Sequence, residues 1–115
     1  METTIAFYQT CIKTLLQDYS GLKSDQAETI TVIDDVGLHY LVLWVGWEDN
    51  KRIHNCALHL DIVGKQIVIQ CNETEELVEN TLVSMGIPTE AIVLGMLPPF
   101  LKDETAFAPK YSAAA

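Results

Sequence analysis

The feature that most restricts the fold is a series of strand-like segments separated by very short connections. Residues 39–47 (HYLVLWVGW), 52–62 (RIHNCALHLDI) and 66–71 (QIVIQC) are rich in β-branched, aromatic and other large apolar side chains. The cluster EDNK and the segment VGK between them are typical of tight turns. A fourth segment, residues 28–34 (ETITVID), ends shortly before a glycine. Because short connections join antiparallel neighbours, the pattern predicts a four-stranded antiparallel meander.

The last hairpin indicates which face of this sheet is buried. Its turn centres either on Val63-Gly64 or on Gly64-Lys65. In both registers the apolar side chains that share one face are Leu58, Leu60, Ile67 and Ile69. We expect this face to pack under a helix.

Two stretches have the residue spacing of helices. Over residues 3–19, apolar residues recur at steps of three and four, and Gly21 follows where a left-handed stop costs least. Residues 72–86 predict a second helix, with Asn72 or Thr74 as its cap. The buried side of that helix is expected to hold Leu77, Val78, Leu82 and Met85.

The whole chain, residues 1–115, is expected to form one α+β domain, because it is long enough to bury a core and contains no linker or repeat. After the second helix, Thr89 can cap one short helical turn. The segment that follows is Pro-rich and irregular, and we expect it to pack on the sheet or on a neighbouring molecule. Its large apolar side chains are Phe100, Leu101, Phe107 and Tyr111.

The charge of the chain argues against direct contact with nucleic acid or with membranes. Seven basic residues against sixteen acidic ones give a formal charge of −9, whereas binding to phosphates is driven by Lys and Arg. The longest apolar run, residues 41–45, is too short to cross a bilayer, and the N-terminus lacks the pattern of a signal peptide. Three cysteines without a CxxC pair predict neither disulfides nor structural zinc. A cytoplasmic protein is therefore expected.

His59 and Asp61 are the residues whose chemistry most needs an explanation. Two positions apart on a strand, they project from one face within about 7 Å, whereas His54 is expected on the opposite face. Such a pair can bind a divalent metal, or act as a base with its orienting carboxylate. Two ligands do not make a site, so the competing interpretation is a polar, partly covered sheet face at a subunit contact. We include Arg52 in this candidate polar face.

No catalytic residue, metal ligand or cofactor is assigned from the sequence. It contains no serine nucleophile elbow and no glycine-rich phosphate loop. It also has few cations that could activate Cys56 or Cys71 as nucleophiles. We therefore do not expect an enzyme.

An acidic run lies at the second predicted helix. In most proteins such a run is a solvated helix face, and its functional interpretation is a docking surface for a basic protein. The residues of this acidic run are Glu73, Glu75, Glu76 and Glu79. Self-association to a homo-oligomer is also expected, because residues 39–47 and the apolar tail expose more hydrophobic surface than one small domain covers.

Several segments are recognisable by their order and spacing along the chain. They are YLVLWVGW, Arg52 with CALHLDI, IVIQCNETEELV, MGIPTEAIVLGMLPP and the dipeptide FA. Together they resemble the XisI family, the cyanobacterial proteins named fdxN element excision controlling factors, from the first helix to Ala108. The chain departs from the family at Lys102, where an arginine is expected, and lysine cannot make the planar two-pronged bond to a carboxylate.

This resemblance implies an accessory factor in programmed DNA excision during heterocyst development, in which a separate recombinase cuts and joins the DNA. It also implies association with a XisH-type partner, whose own family is similar to nucleases. We therefore expect a non-enzymatic controlling factor whose acidic second helix docks on a basic groove of a XisH-type protein. The alternative is a small enzyme or metal-binding protein that uses the face of His59 and Asp61.

Overall fold

The computed structural model describes residues 2–22 and 24–98, which form two α-helices, a short 3₁₀ helix and a five-stranded sheet. In chain order the elements are α1 (Glu2–Gln17), β1 (Ala27–Asp34), β2 (His39–Glu48), β3 (Lys51–Val63), β4 (Gln66–Asn72), α2 (Val78–Ser84), the 3₁₀ helix (Thr89–Ala91) and β5 (Ile92–Leu94). The C-terminal segment that was predicted to be irregular lies outside the described residues from residue 99 onward, and so does Lys102. Within the described ranges no helix is both long and apolar enough to cross a bilayer.

The five strands lie in the sheet in chain order, and the α+β class is confirmed. The first four form the antiparallel meander that the short connections predicted. β5 adds a fifth strand that pairs in parallel with β4, with Ile67 opposite Ile92. A parallel neighbour requires a crossover, which α2 and the 3₁₀ helix supply. The sequence did not predict β5 because three buried apolar residues are too few to show a strand period.

The hairpin turns are made by residues in the left-handed region of backbone space. Asp49 has a φ of 56° in the β2–β3 turn, and Gly64 has a φ of 62° in the β3–β4 turn. Val63 pairs with Gln66, so this last turn centres on Gly64-Lys65, one of the two registers that the sequence allowed. The four apolar residues expected on one face all lie in the core, which confirms that face: Leu58, Leu60, Ile67 and Ile69.

A β-bulge interrupts the pairing of β2 with β3. Leu43 of β2 pairs with Cys56, and the residue before Leu43 pairs with Leu58. Ala57 is therefore an extra residue in β3, and the alternation of side chains inverts between the two halves of the strand.

The bulge corrects the expected position of His54. This residue pairs with Val45, while His59 pairs with Leu41. Val45 and Leu41 are four positions apart on β2, so they share a face, and their partners share it too. The expectation that His54 and His59 lie on opposite faces is therefore wrong.

α1 packs across one face of the sheet with the stripe that its spacing predicted. Tyr8 also donates a hydrogen bond from its hydroxyl to the Lys65 carbonyl, at 2.9 Å. Gly21, with a φ of 77°, follows the helix as expected. Each large apolar side chain that is fully buried contributes about 1.5–3 kcal/mol. The buried residues of the stripe are Tyr8, Cys11, Ile12, Leu15 and Leu16.

α2 begins at Val78, three to five residues later than a cap at Thr74 or Asn72 would place it. The Asn72 carboxamide oxygen accepts hydrogen bonds from the backbone N–H and the hydroxyl of Thr74, and its nitrogen donates to the Glu76 carbonyl. These local bonds hold a turn, because Asn and Thr side chains compete with helical backbone bonding. Leu77 precedes the helix and is 60% exposed, so its expected burial is wrong. The residues buried by α2 are Val78 and Leu82, and Met85 packs partly against the core.

Both helices contribute to one core on the same side of the sheet, which leaves the opposite side, here called the outer face, without either helix. Ile30 and Val32 of β1 lie on this outer face, and each is 38% exposed. On the same face β2 contributes Trp47, which is 56% exposed, and three half-buried apolar residues, Leu41, Leu43 and Val45.

Candidate functional site

Polar side chains from three strands of the outer face converge on one carboxylate. His39 Nδ1 and His59 Nε2 each lie 2.8 Å from the same oxygen, Oδ1 of Asp61. The other carboxylate oxygen, Oδ2, accepts a hydrogen bond from Gln70 Nε2 at 3.1 Å. The two imidazole rings meet edge to face, with centroids 6.4 Å apart. We call these four residues the Asp61 cluster.

The carboxylate at the centre of the cluster is buried but kept charged by its partners. Asp61 is 8% exposed, and among the described residues the basic side chains within 4 Å of its carboxylate are His39 and His59. Burial acts to raise the pKa of Asp61, but hydrogen bonds from His39, Gln70 and His59 outweigh it and hold that pKa below its usual value. The hydrogen bond to Asp61, with the charges of Asp61 and Asp34, raises the pKa of His39 against a smaller opposing effect of desolvation.

The bulge in β3 is what brings His39 into the cluster. An unbroken ladder from the hairpin turn would place His39 opposite Leu60, but the extra residue Ala57 moves the pairing by one position, so His39 faces Asp61. His39 is therefore not among the site residues predicted from the sequence. The one available signal was that His39 opens a strand expected to pair with the strand of His59 and Asp61.

The hydrogen bonds of the cluster make Asp61 an orienting carboxylate. Both of its oxygens accept hydrogen bonds, so it is not itself a free base. Cys71 pairs with His59 across β3 and β4, but burial, followed by its proximity to Cys56 and Glu73, raises the pKa of its thiol. A thiol with a raised pKa is a poor nucleophile at neutral pH.

Arg52 shares the outer face with His59 but does not join the cluster. It pairs with Trp47 near the hairpin turn, and its guanidinium lies over the Trp47 ring, 5.1 Å from the centroid. Asp61 lies near the other end of the same strand. The candidate polar face predicted from the sequence therefore divides into a cation–π pair and the Asp61 cluster.

The acidic run does not form one helix face, which corrects that part of the prediction. Glu73, Glu75 and Glu76 lie in the loop before α2, and Glu79 lies in its first turn. Glu73 and Glu75 are exposed, whereas Glu76 and Glu79 are half-buried. Of the four carboxylates, the two exposed ones are the more accessible to another molecule.

Glu76 is held by the fold rather than directed to solvent. Its carboxylate accepts hydrogen bonds from the hydroxyls of Tyr19 and Thr81. Burial, followed by the hydrogen bond to Glu76, raises the pKa of Tyr19 to about 12. Glu76 thus joins the end of α1 to α2, and a substitution there would disturb the fold.

The chain matches the model of one protein family, described as XisI protein, over residues 1–109. A crystal structure of a XisI-like protein from Anabaena variabilis ATCC 29413 is 33% identical, with a TM-score of 0.83 over 90% of this chain and 97% of that one. The fdxN element excision controlling factor XisI from the same organism is 27% identical, with a TM-score of 0.81 over 93% of this chain and 99% of that one. No curated protein sequence matches. The family match covers nearly the whole length, so the resemblance is confirmed and this chain belongs to the XisI family.

Proposed function

We propose that this chain is a controlling factor in the excision of a DNA element and that it acts by binding another protein. The observation that carries the proposal is the family match over residues 1–109, together with 27% identity to the fdxN element excision controlling factor XisI. The proposed partner is a XisH-type protein, which is the association that the family resemblance implies. A separate recombinase would cut and join the DNA, so this role requires no active site in the chain itself.

The charge of the chain supports a protein partner rather than DNA. The formal charge is −9, and phosphate binding requires an excess of cations. Two of the cations already have partners within the chain. Lys13 Nζ lies 2.8 Å from Asp35 Oδ2, and Arg52 lies over Trp47. A basic partner would both attract this chain and carry the contact with DNA.

The proposed docking surface is the acidic loop before α2. Glu73 and Glu75 are its exposed carboxylates, and we assign them the contact with a basic groove of the partner. Glu76 and Glu79 belong to the same acidic run, and they add to its negative potential from half-buried positions. We therefore keep the prediction that this run binds the partner, and we assign the main contact to Glu73 and Glu75.

The surroundings of Asp61 and Cys71 support a non-enzymatic role. Both oxygens of Asp61 accept hydrogen bonds. The raised pKa of Cys71 disfavours its thiolate. A regulator that gates a partner's access to DNA needs neither a free base nor an activated nucleophile.

The experiment is a binding titration against a co-expressed XisH-type protein, at low and at physiological salt. Substituting both Glu73→Lys and Glu75→Lys should raise Kd by about tenfold or more, because two attractive surface charges become repulsive. The control is Asp25→Lys with Glu48→Lys, which changes the net charge equally at two other exposed positions. The loop double variant should weaken binding more than the control does, and binding should weaken with salt.

Two results would contradict docking through the loop. If the control weakens binding as much as the loop double variant, net charge rather than the acidic loop determines the affinity. If neither salt nor the loop substitutions change Kd, the contact is not electrostatic and the docking surface is wrong. Glu76 is left unchanged in this design because it bonds Tyr19 and Thr81 within the fold.

Self-association through the outer face is a second element of the proposal. Ile30 and Val32 are exposed there beside half-buried residues of β2, and contiguous apolar surface of this kind is typical of protein interfaces. Light scattering on the chain alone tests it. A mass that stays at one chain at all concentrations would contradict self-association.

A further inference from the structure

We propose that the Asp61 cluster binds one divalent transition-metal ion of the Zn²⁺ class. The ligand atoms are His39 Nδ1, His59 Nε2 and a carboxylate oxygen of Asp61, and each lies within 4.8 Å of the others. His39 and Asp61 are direct cross-strand partners, and His59 is two residues from Asp61 on the same face of β3. The paired backbones therefore hold the three ligand residues next to one another. This site neither depends on the proposed excision function nor involves the partner.

The distances from each imidazole nitrogen to Asp61 are close to those that an ion needs. Zn²⁺ binds nitrogen and carboxylate oxygen at about 2.0–2.2 Å, so tetrahedral ligand atoms stand about 3.3 Å apart. Each imidazole nitrogen is 2.8 Å from Asp61 Oδ1, so each pair opens by about 0.5 Å to admit the ion. The side chains of His39 and His59 are 55% and 30% exposed, which leaves both rings room to move.

Both histidines can remain neutral when the ion binds. In the absence of an ion, each contacting nitrogen carries a hydrogen that it donates to Asp61 Oδ1. On metal binding, each ring gives the proton of its contacting nitrogen to solvent and takes one up on its other nitrogen, so the ring stays neutral and presents a lone pair to the ion. Two hydrogen bonds are replaced by two metal–nitrogen bonds, and the carboxylate of Asp61 becomes the third ligand without gaining a proton.

The ligand set selects the class of ion. Two imidazole nitrogens and one carboxylate suit Zn²⁺, Fe²⁺, Co²⁺ or Ni²⁺, whereas Mg²⁺ and Ca²⁺ prefer oxygen ligands. Gln70 donates to the second oxygen of Asp61 at 3.1 Å, which orients the carboxylate in the way that outer-shell residues orient metal ligands. The ion would also compensate the charge of a buried carboxylate that has no lysine or arginine within 4 Å among the described residues. Solvent on the exposed side of His39 completes the coordination.

The experiment is a titration of the chelator-treated chain, without an affinity tag, with Zn²⁺ by calorimetry and with Co²⁺ by visible absorption. We expect one ion per chain, a tetrahedral Co²⁺ spectrum and no competition from Mg²⁺. His39→Ala should weaken Zn²⁺ binding by more than about tenfold, since it removes a direct ligand. His39 is exposed, so this variant should remain folded. The matched control is His54→Ala, an exposed histidine on the same face of β3.

Asp61→Asn is the second variant, and it should also lose affinity because a neutral amide is a poorer ligand than a carboxylate. Unsaturable or absent Zn²⁺ binding in the unchanged chain would overturn the proposal. Equal binding by the His39→Ala and His54→Ala variants would overturn it as well. None of these measurements involves a XisH-type protein, so their failure would leave the excision proposal standing, and the converse also holds.

Discussion

Replacing Asp61 by asparagine in metal-free protein should destabilise the fold by about 1–3 kcal/mol. Asp61 is 8% exposed and accepts bonds from His39, His59 and Gln70. A hydrogen bond to a charged group is worth about 1.5–3 kcal/mol and a neutral one about 0.5–1.5 kcal/mol. The substitution keeps the shape and weakens the bonds from His59 and Gln70 by about 1 kcal/mol each. Relief from burying a charge offsets part of this loss, and the exposed His39 bond counts for less.

The assay is urea unfolding with a chelator present, for the unchanged chain, Asp61→Asn and the control His54→Asn. A loss of about 2 kcal/mol lowers the midpoint by about 1 M urea at an unchanged slope, while the control should stay within about 0.5 kcal/mol. The cluster tolerates asparagine geometrically, because the Gln70 amide can turn to accept from the new nitrogen. Equal or greater stability of Asp61→Asn would refute the reasoning, since desolvation of the carboxylate would then outweigh its hydrogen bonds.

Three further substitutions test other parts of the fold. The pKa of Tyr19 is raised from 10.0 to about 12, so folding loses stability as the pH rises from 10 towards 12. Tyr19→Phe should therefore lose less unfolding free energy between about pH 9 and about pH 11 than the unchanged chain, and equal losses would contradict this. A Cβ added at Gly46 would collide with the backbone carbonyl oxygen of Gln26, so Gly46→Ala should cost about 1–3 kcal/mol and lower Tm; an unchanged Tm would contradict the close approach of Gln26 to β2. Leu82 of α2 is buried in the core, so Leu82→Ala should lower the free energy of unfolding by about 2–5 kcal/mol in the same urea assay. A loss below about 1 kcal/mol would argue against that packing.

The parts of the fold that sequence could predict are those coded by local patterns. α1 follows from apolar steps of three and four, and the β2–β3 and β3–β4 hairpins follow from short polar or Gly-containing turns. The start of α2 was misplaced because Asn and Thr are favoured both at helix caps and in turns. The sequence alone does not distinguish these two roles for Asn72 and Thr74, and in the structure they hold a turn. β5 was missed because a three-residue strand acquires its structure from pairing with β4 rather than from its own period.

The candidate site depended on a feature with no local signature. Ala57 is an ordinary strand residue in sequence, yet its bulge moves the register and brings His39 opposite Asp61. The pair of His59 and Asp61 was visible because two residues apart on a strand share a face. The other two residues of the Asp61 cluster, His39 and Gln70, come from β2 and β4. Only the register of the complete sheet brings them within hydrogen-bonding distance of Asp61.

The most direct test of the proposed function is co-purification of this chain with a XisH-type protein, followed by light scattering on the eluted material. A controlling factor that acts through a protein partner should elute with it as a complex of defined mass at physiological salt, and the complex should weaken as salt is raised. If the two proteins elute separately even at low salt, where attraction between the −9 chain and a basic partner is strongest, the partner-binding account is contradicted.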